Sequence, residues 1–189
     1  MIYLVSNIHR SGSSMMMRCL EAGGIPVAYN LHQEFLNDYY NTSEYPPNPN
    51  GFYASPIGYV NDLPLYIGKA LKFGYSLLLE LPSDINFNIL FLKRNPDEIR
   101  NSMASFVPNG GHWGKSATIL EFYDLVIDSI LEKIKSKDNV SLTVLNYAEI
   151  VENPTKEFQK LKDNGWDFDV EKAASKVDSS LYRLRLERK

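Results

Sequence analysis

The segment from Ile2 to Leu20, IYLVSNIHRSGSSMMMRCL, narrows the choice of fold more than any other part of the chain. Ile2-Tyr3-Leu4-Val5 is a short apolar run that reads as a buried strand, passing through Ser6 and Asn7 into a small-residue turn. The turn, Asn7 to Gly12, opens directly into an amphipathic helix that begins near Ser13. Strand, tight turn and helix in this order are how α/β proteins build a cradle for phosphate. The N–H groups of a helix's first turn have no intrahelical acceptor and carry a partial positive charge, so an anion can sit there without a metal. Gly12 lets the backbone approach that anion closely, and Arg10 adds a full charge on a planar donor fork.

The turn is not an ordinary nucleotide-triphosphatase loop. Set against G-x-x-x-x-G-K-[ST], it has Asn7 at the first glycine, Gly12 at the second, Ser13 at the lysine and Ser14 at the hydroxyl position. The lysine that reaches the β and γ phosphates is missing, and the cation stands ahead of the glycine instead. A 5′-phosphate bearing one further small anion suits such a nest better than a magnesium triphosphate.

A second strand-to-helix passage lies at Asn88 to Phe106, NILFLKRNPDEIRNSMASF. The strand is expected over Ile89 to Leu92. Asn95 is a suitable N-cap, Pro96 suits the first helical position, and Asp97 and Glu98 complement the helix dipole. Ser102 follows Asn95 by seven residues, close to two turns, and so returns to the side where the strand ends. Arg94 and Ser102 are thus expected to converge on one ligand.

These residues resemble a family. His9-Arg10-Ser11-Gly12-Ser13-Ser14 is similar to the 5′-phosphosulfate loop of the sulfotransferases, a Lys or Arg followed by Ser-Gly-[ST]-[ST]. Arg94, Pro96 and Ser102 resemble the family's 3′-phosphate site, and Tyr147, Glu149, Ile150, Val151 and Pro154 match a recurrent structural stretch near its C-terminal end. The resemblance implies a three-layer α/β/α fold with a mainly parallel central sheet, of the P-loop nucleoside-triphosphatase-like kind. It also implies transfer of a sulfuryl group from 3′-phosphoadenosine 5′-phosphosulfate (PAPS) to a hydroxyl or amine of a small-molecule or glycan acceptor, with no metal. Arg10, Ser11, Gly12, Ser13, Ser14 and Met15 would hold the 5′ end of the donor, and Arg10 would also stabilise the leaving oxygen. Arg94 and Ser102 would hold the 3′-phosphate, with Arg183, in a stretch similar to the family's late basic loop, closing over it.

The rest of the chain fits one domain over residues 1–189, with 44% hydrophobic and 23% charged residues. Alternating strands and helices point to a parallel sheet, and in such sheets ligands lie beyond the C-terminal strand ends. The first helix is expected over Ser13 to Ala22, stopped by Gly23-Gly24. Short strands are expected at Ile25 to Ala28 and Ala70 to Phe73, a short helix at Ser76 to Leu81, a long helix from about Ser116 to Lys137, and a strand at Val140 to Leu145. Tyr39 to Tyr59 is an irregular segment rich in Tyr, Pro, Asn and Gly. The net charge of −3 speaks against a general nucleic-acid or anionic-membrane binder. Cys19, the one cysteine, reads as a core residue, and no apolar run approaches membrane-spanning length, so a cytoplasmic location is expected.

The acceptor side is less defined. Of the three histidines, His9 belongs to the loop and His112 lies in a glycine-rich stretch, which leaves His32, with Glu34 nearby, as the candidate bases. Lys72 could assist from a strand end. Asn48-Pro49-Asn50-Gly51-Phe52-Tyr53 is similar to a run in short bacterial and phage-type sulfotransferases that an acidic residue often follows, whereas Ala54 follows here. Two other functions fit the same scaffold: a P-loop small-molecule kinase and a catalytically silent nucleotide-binding module.

Overall fold

The computed structural model describes residues 1–29, 60–106 and 120–182. Its centre is a four-stranded sheet, with β1 at Ile2–Asn7, β2 at Ala70–Gly74, β3 at Phe87–Lys93 and β4 at Val140–Asn146, in the order β2-β1-β3-β4. All three pairings are parallel. The register sets Leu4 beside Ile89 and Val5 beside Leu90. Side chains of a strand alternate between faces, so this register sends Leu4 and Ile89 to one side of the sheet and Val5 and Leu90 to the other.

Each side has its own apolar core. One is built from Leu4, Leu71, Phe87, Ile89 and Phe91 against α2 (Pro96–Phe106) and α3 (Tyr123–Lys135). The other joins Val5, Leu90, Leu92 and Leu145 to α1 (Ser13–Ala22), α4 (Tyr147–Glu152), α5 (Pro154–Asp163) and α6 (Val170–Ala174). The architecture is therefore α/β with helices on both faces of a parallel sheet. It explains why β3 reads as a nearly unbroken apolar run: a strand covered on both sides has no polar face to show.

Local signals place the elements well. The first helix spans Ser13–Ala22 as expected. Asn95 caps α2, accepting from the Asp97 N–H at 2.8 Å, and Pro96 opens the helix. Cys19 is fully buried, and burial pushes its thiol up to about 12, which suits a core residue and not a nucleophile. The expected strand at Ile25 to Ala28 is reduced to a single bridge between Val27 and Ala70. The Ala28 N–H donates to Ala70 O at 2.8 Å, while Pro26, which has no N–H, offers only its carbonyl to Ala70. The segment expected as a short helix after β2 is a 3₁₀ helix, Tyr75–Glu80. Of the long helix, residues 116–119 lie outside the described residues, and α3 buries Tyr123, Ile127, Leu131 and Ile134 along one face.

Candidate functional site

β1 lies between β2 and β3, and the chain leaves it first toward one neighbour and later toward the other. At such a reversal the loops leaving adjacent strands separate and open a crevice beyond the C-terminal ends. Arg10 follows β1, Arg94 follows β3 and Lys72 belongs to β2, so three neighbouring strands each send a cation to this crevice.

The first loop has the backbone that the small residues suggested. Gly12 stands at the N-cap of α1 with φ 94°, in the left-handed region, and its carbonyl accepts from the Met16 N–H at 3.0 Å. Arg10 shares that region with φ 70°, the single described non-glycine residue to do so. A side chain there strains the backbone, a feature found most often where geometry serves a ligand. Gly12 is also packed so tightly that a Cβ would fall within contact distance of two carbons of the Tyr147 ring. Tyr147, at the start of α4, thus forms the floor of the loop.

Arg10 connects the two loops. Its Nε donates to Ser102 Oγ at 3.0 Å, while its backbone carbonyl accepts from Arg94 Nη1 at 2.9 Å. Arg94 and Ser102 are thus linked through Arg10, whose side chain turns toward the second loop. Burial first, and Arg94 second, lower the pKa of Arg10 from its ordinary value, while Tyr147 opposes them. Arg94 is 9% exposed, and its Nε donates to Glu98 Oε2 at 2.9 Å in an ion pair one helical turn long. Its guanidinium carbon lies 4.7 Å from the Tyr147 ring centre and 5.2 Å from that of Tyr182, at distances where cation and π face attract.

Lys72 is the residue that sequence reasoning undervalued. Its Nζ donates to Ser14 Oγ at 2.7 Å, so an ammonium stands at the first turn of α1 although the loop itself carries no lysine. Burial pushes this ammonium down to about 8. The available signal was a lone charge in the apolar run Ala70-Leu71-Lys72-Phe73, where a solvent-facing lysine would be out of place. His9 is held toward its neutral form by burial, then by Lys72 and by Arg10. Ser11 Oγ is buried and has no hydrogen-bond partner among the described residues.

Ser11, Gly12, Ser13, Ser14 and Met15 thus form the turn and first helical turn, with Lys72, Arg10, Ser102 and Arg94 around them. The arrangement can hold an extended polyanion along the strand ends: N–H groups and an ammonium at one end, a guanidinium between the loops, a second guanidinium at the other. His32, Glu34 and Arg183 lie outside the described residues, as do His112 and Ala54. Among the described residues no group of three or more His, Cys, Asp or Glu side chains could hold a metal ion, and no helix is long and apolar enough to cross a membrane.

No protein-family model matches the chain, and no curated protein sequence does. Among solved structures, the chain is similar to retinol dehydratase, a sulfotransferase, in complex with androsterone and inactive cofactor PAP. The TM-score is 0.50 and the identity 12%, with 93% of this chain covered. The match spans 64% of retinol dehydratase. At that identity the likeness is one of fold: an α/β architecture with a four-stranded parallel sheet, similar to that of a sulfotransferase structure.

Proposed function

We propose that the protein is a sulfotransferase that moves a sulfuryl group from PAPS to a hydroxyl or amine of a small-molecule or glycan acceptor. The observation that carries this reading is the Arg10 bridge, which joins Ser102 and Arg94 to the glycine loop at the ends of β1 and β3. A donor with anions at both its 5′ and 3′ positions needs two such loops at once, and ATP or ADP needs only one. Ser11 to Met15 and Lys72 would take the 5′ end, Arg94 and Ser102 the 3′-phosphate. In the reaction the acceptor oxygen or nitrogen bonds to sulfur as the bond from sulfur to the 5′-phosphate oxygen breaks, leaving 3′-phosphoadenosine 5′-phosphate (PAP). Displacement of this kind asks the protein for alignment and for charge on the leaving oxygen, supplied by Arg10 and Lys72. The acceptor's proton would pass to His32 or Glu34, and Arg183 would close over the 3′-phosphate.

Titration with PAP and AMP tests the reading. Arg94→Ala is expected to weaken PAP by about 2–3 kcal/mol more than AMP, the loss of a charge-assisted contact that only the 3′ group can make. Equal losses for the two nucleotides remove Arg94 from the 3′ site. A kinase is the second reading, favoured by the Lys72 ammonium beside Ser14, since that cation could serve a triphosphate as the loop lysine does elsewhere. Tighter binding of ATP than of PAP selects it.

Lys72 gives the site a pH dependence. An anion binds best while Lys72 is charged, which holds below about 8. As pH rises above that value the free protein loses the proton that binding requires, so PAP affinity is expected to fall by up to about tenfold per pH unit. Titrations from pH 7 to 9.5 should show the fall in the parent and a flat profile in Lys72→Met. A flat parent profile would show that Lys72 does not meet the nucleotide.

A further inference from the structure

The guanidinium of Arg94 is held from several sides by groups that have no place in sulfuryl transfer. Glu98, 3% exposed, takes its Nε, and the other oxygen of the same carboxylate accepts from Tyr182 Oη at 2.8 Å. Tyr182 comes from a point 84 residues further along the chain, just beyond the 3₁₀ turn Ser179–Leu181. Its ring meets Tyr147 edge to face at 5.0 Å, and both rings lie against the guanidinium. With Nη1 on the Arg10 carbonyl, Nη2 is left with no hydrogen-bond partner among the described residues.

We propose that Glu98 and Tyr182 are positioning residues for the donor's 3′-phosphate, acting through Arg94: together they fix the rotation of its guanidinium, so that the nitrogen left over is presented to the phosphate already aligned. The inference rests on the sulfotransferase reading and deepens it. A buried ion pair adds little stability over an apolar replacement of the same volume, because desolvating both charges cancels most of their attraction. What such a pair supplies is a fixed orientation, and a guanidinium is a directional donor whose match to phosphate depends on its plane. Glu98 also places a negative charge beside Arg94, which itself bears on Arg10, and so lets the guanidinium groups gather before any anion arrives.

The test is the ratio of the PAP and AMP dissociation constants in the parent, Glu98→Gln and Tyr182→Phe, with a melting curve for each. Glu98→Gln is expected to weaken PAP about tenfold, the loss of one charge-assisted contact, while AMP changes less than about twofold. Tyr182→Phe, which removes one hydroxyl and keeps the ring, is expected to weaken PAP about threefold, again without effect on AMP. If Glu98→Gln melts below the assay temperature, Tyr182→Phe decides by the same ratio. Equal loss of both nucleotides in the variants overturns the inference, because a merely structural pair would damage the whole crevice. Tighter PAP binding in Glu98→Gln overturns it too, since the carboxylate would then act only as a repelling charge. A parent that binds PAP and AMP alike overturns the sulfotransferase reading, and this inference with it; a parent that discriminates, with variants that discriminate as well, overturns this inference alone.

Discussion

Gly12→Ala is expected to destabilise the protein by roughly 2–5 kcal/mol and to weaken PAP binding more than about tenfold. Two costs add. The left-handed backbone at φ 94° costs a residue with a Cβ roughly 1–2 kcal/mol. The new methyl also enters the space of the Tyr147 ring, and overpacking of a core typically costs about 1–3 kcal/mol. Tyr147 is 4% exposed and has Arg94 on its face and Tyr182 at its edge, so the ring cannot retreat without disturbing the second loop. The loop must move instead, and the cradle moves with it. In a domain of this size each kcal/mol lowers the melting temperature by about 2–4 °C, so a melting curve and a PAP titration read both effects. Adding Tyr147→Leu should recover the overpacking part and leave the backbone part, which a double-mutant cycle separates. A Gly12→Ala protein that melts and binds like the parent would show that the loop relaxes freely.

Arg10→Ala is expected to lower kcat by about 10²–10³ while PAP affinity changes less than about tenfold, if the guanidinium meets charge that grows on the leaving oxygen. The substitution is clean in one respect. The carbonyl of Arg10 that accepts from Arg94 is backbone, so it survives, while the contact from Nε to Ser102 Oγ is lost. Arg10→Lys keeps the charge but not the planar fork and should recover part of the rate. Radiolabelled sulfate transfer to an acceptor panel, with PAP titration beside it, gives the two quantities. Poor PAP affinity with unchanged kcat would assign Arg10 to ground-state binding at the second loop, where its side chain lies in the structure.

What the sequence made legible was local. Asn95, Pro96 and Gly12 act on the backbone within a few residues of themselves, so the starts of α1 and α2 and the ends of β1 and β3 follow from the order of residue types. The layering of the fold follows too, since the apolar run of β3 has only one explanation. The contacts that assemble the site are of another kind. Lys72 meets Ser14 across 58 positions, Arg10 meets Ser102 across 92, and Tyr182 meets Glu98 across 84. No periodicity or spacing encodes such a meeting, which depends on which strands become neighbours. Tyr147 shows the limit most plainly: the sequence marks it as part of a structural stretch, whereas the fold lays its ring under Gly12 and against Arg94.

The position of β1 inside the sheet has a consequence for synthesis. It leaves the ribosome before either of its partners, for β2 begins at Ala70 and β3 at Phe87. At roughly 5–20 residues per second, about 4–16 s pass between completion of β1 and the arrival of β3. Until β2 arrives the strand Ile2–Asn7 waits with both edges open, and one edge stays open until β3 follows, with side chains destined for both cores still uncovered. The sheet grows outward from its first strand only as the later strands arrive, through contacts of long sequence separation that form slowly. Yield during expression should therefore respond more to temperature and chaperone supply than the stability of the finished protein would suggest.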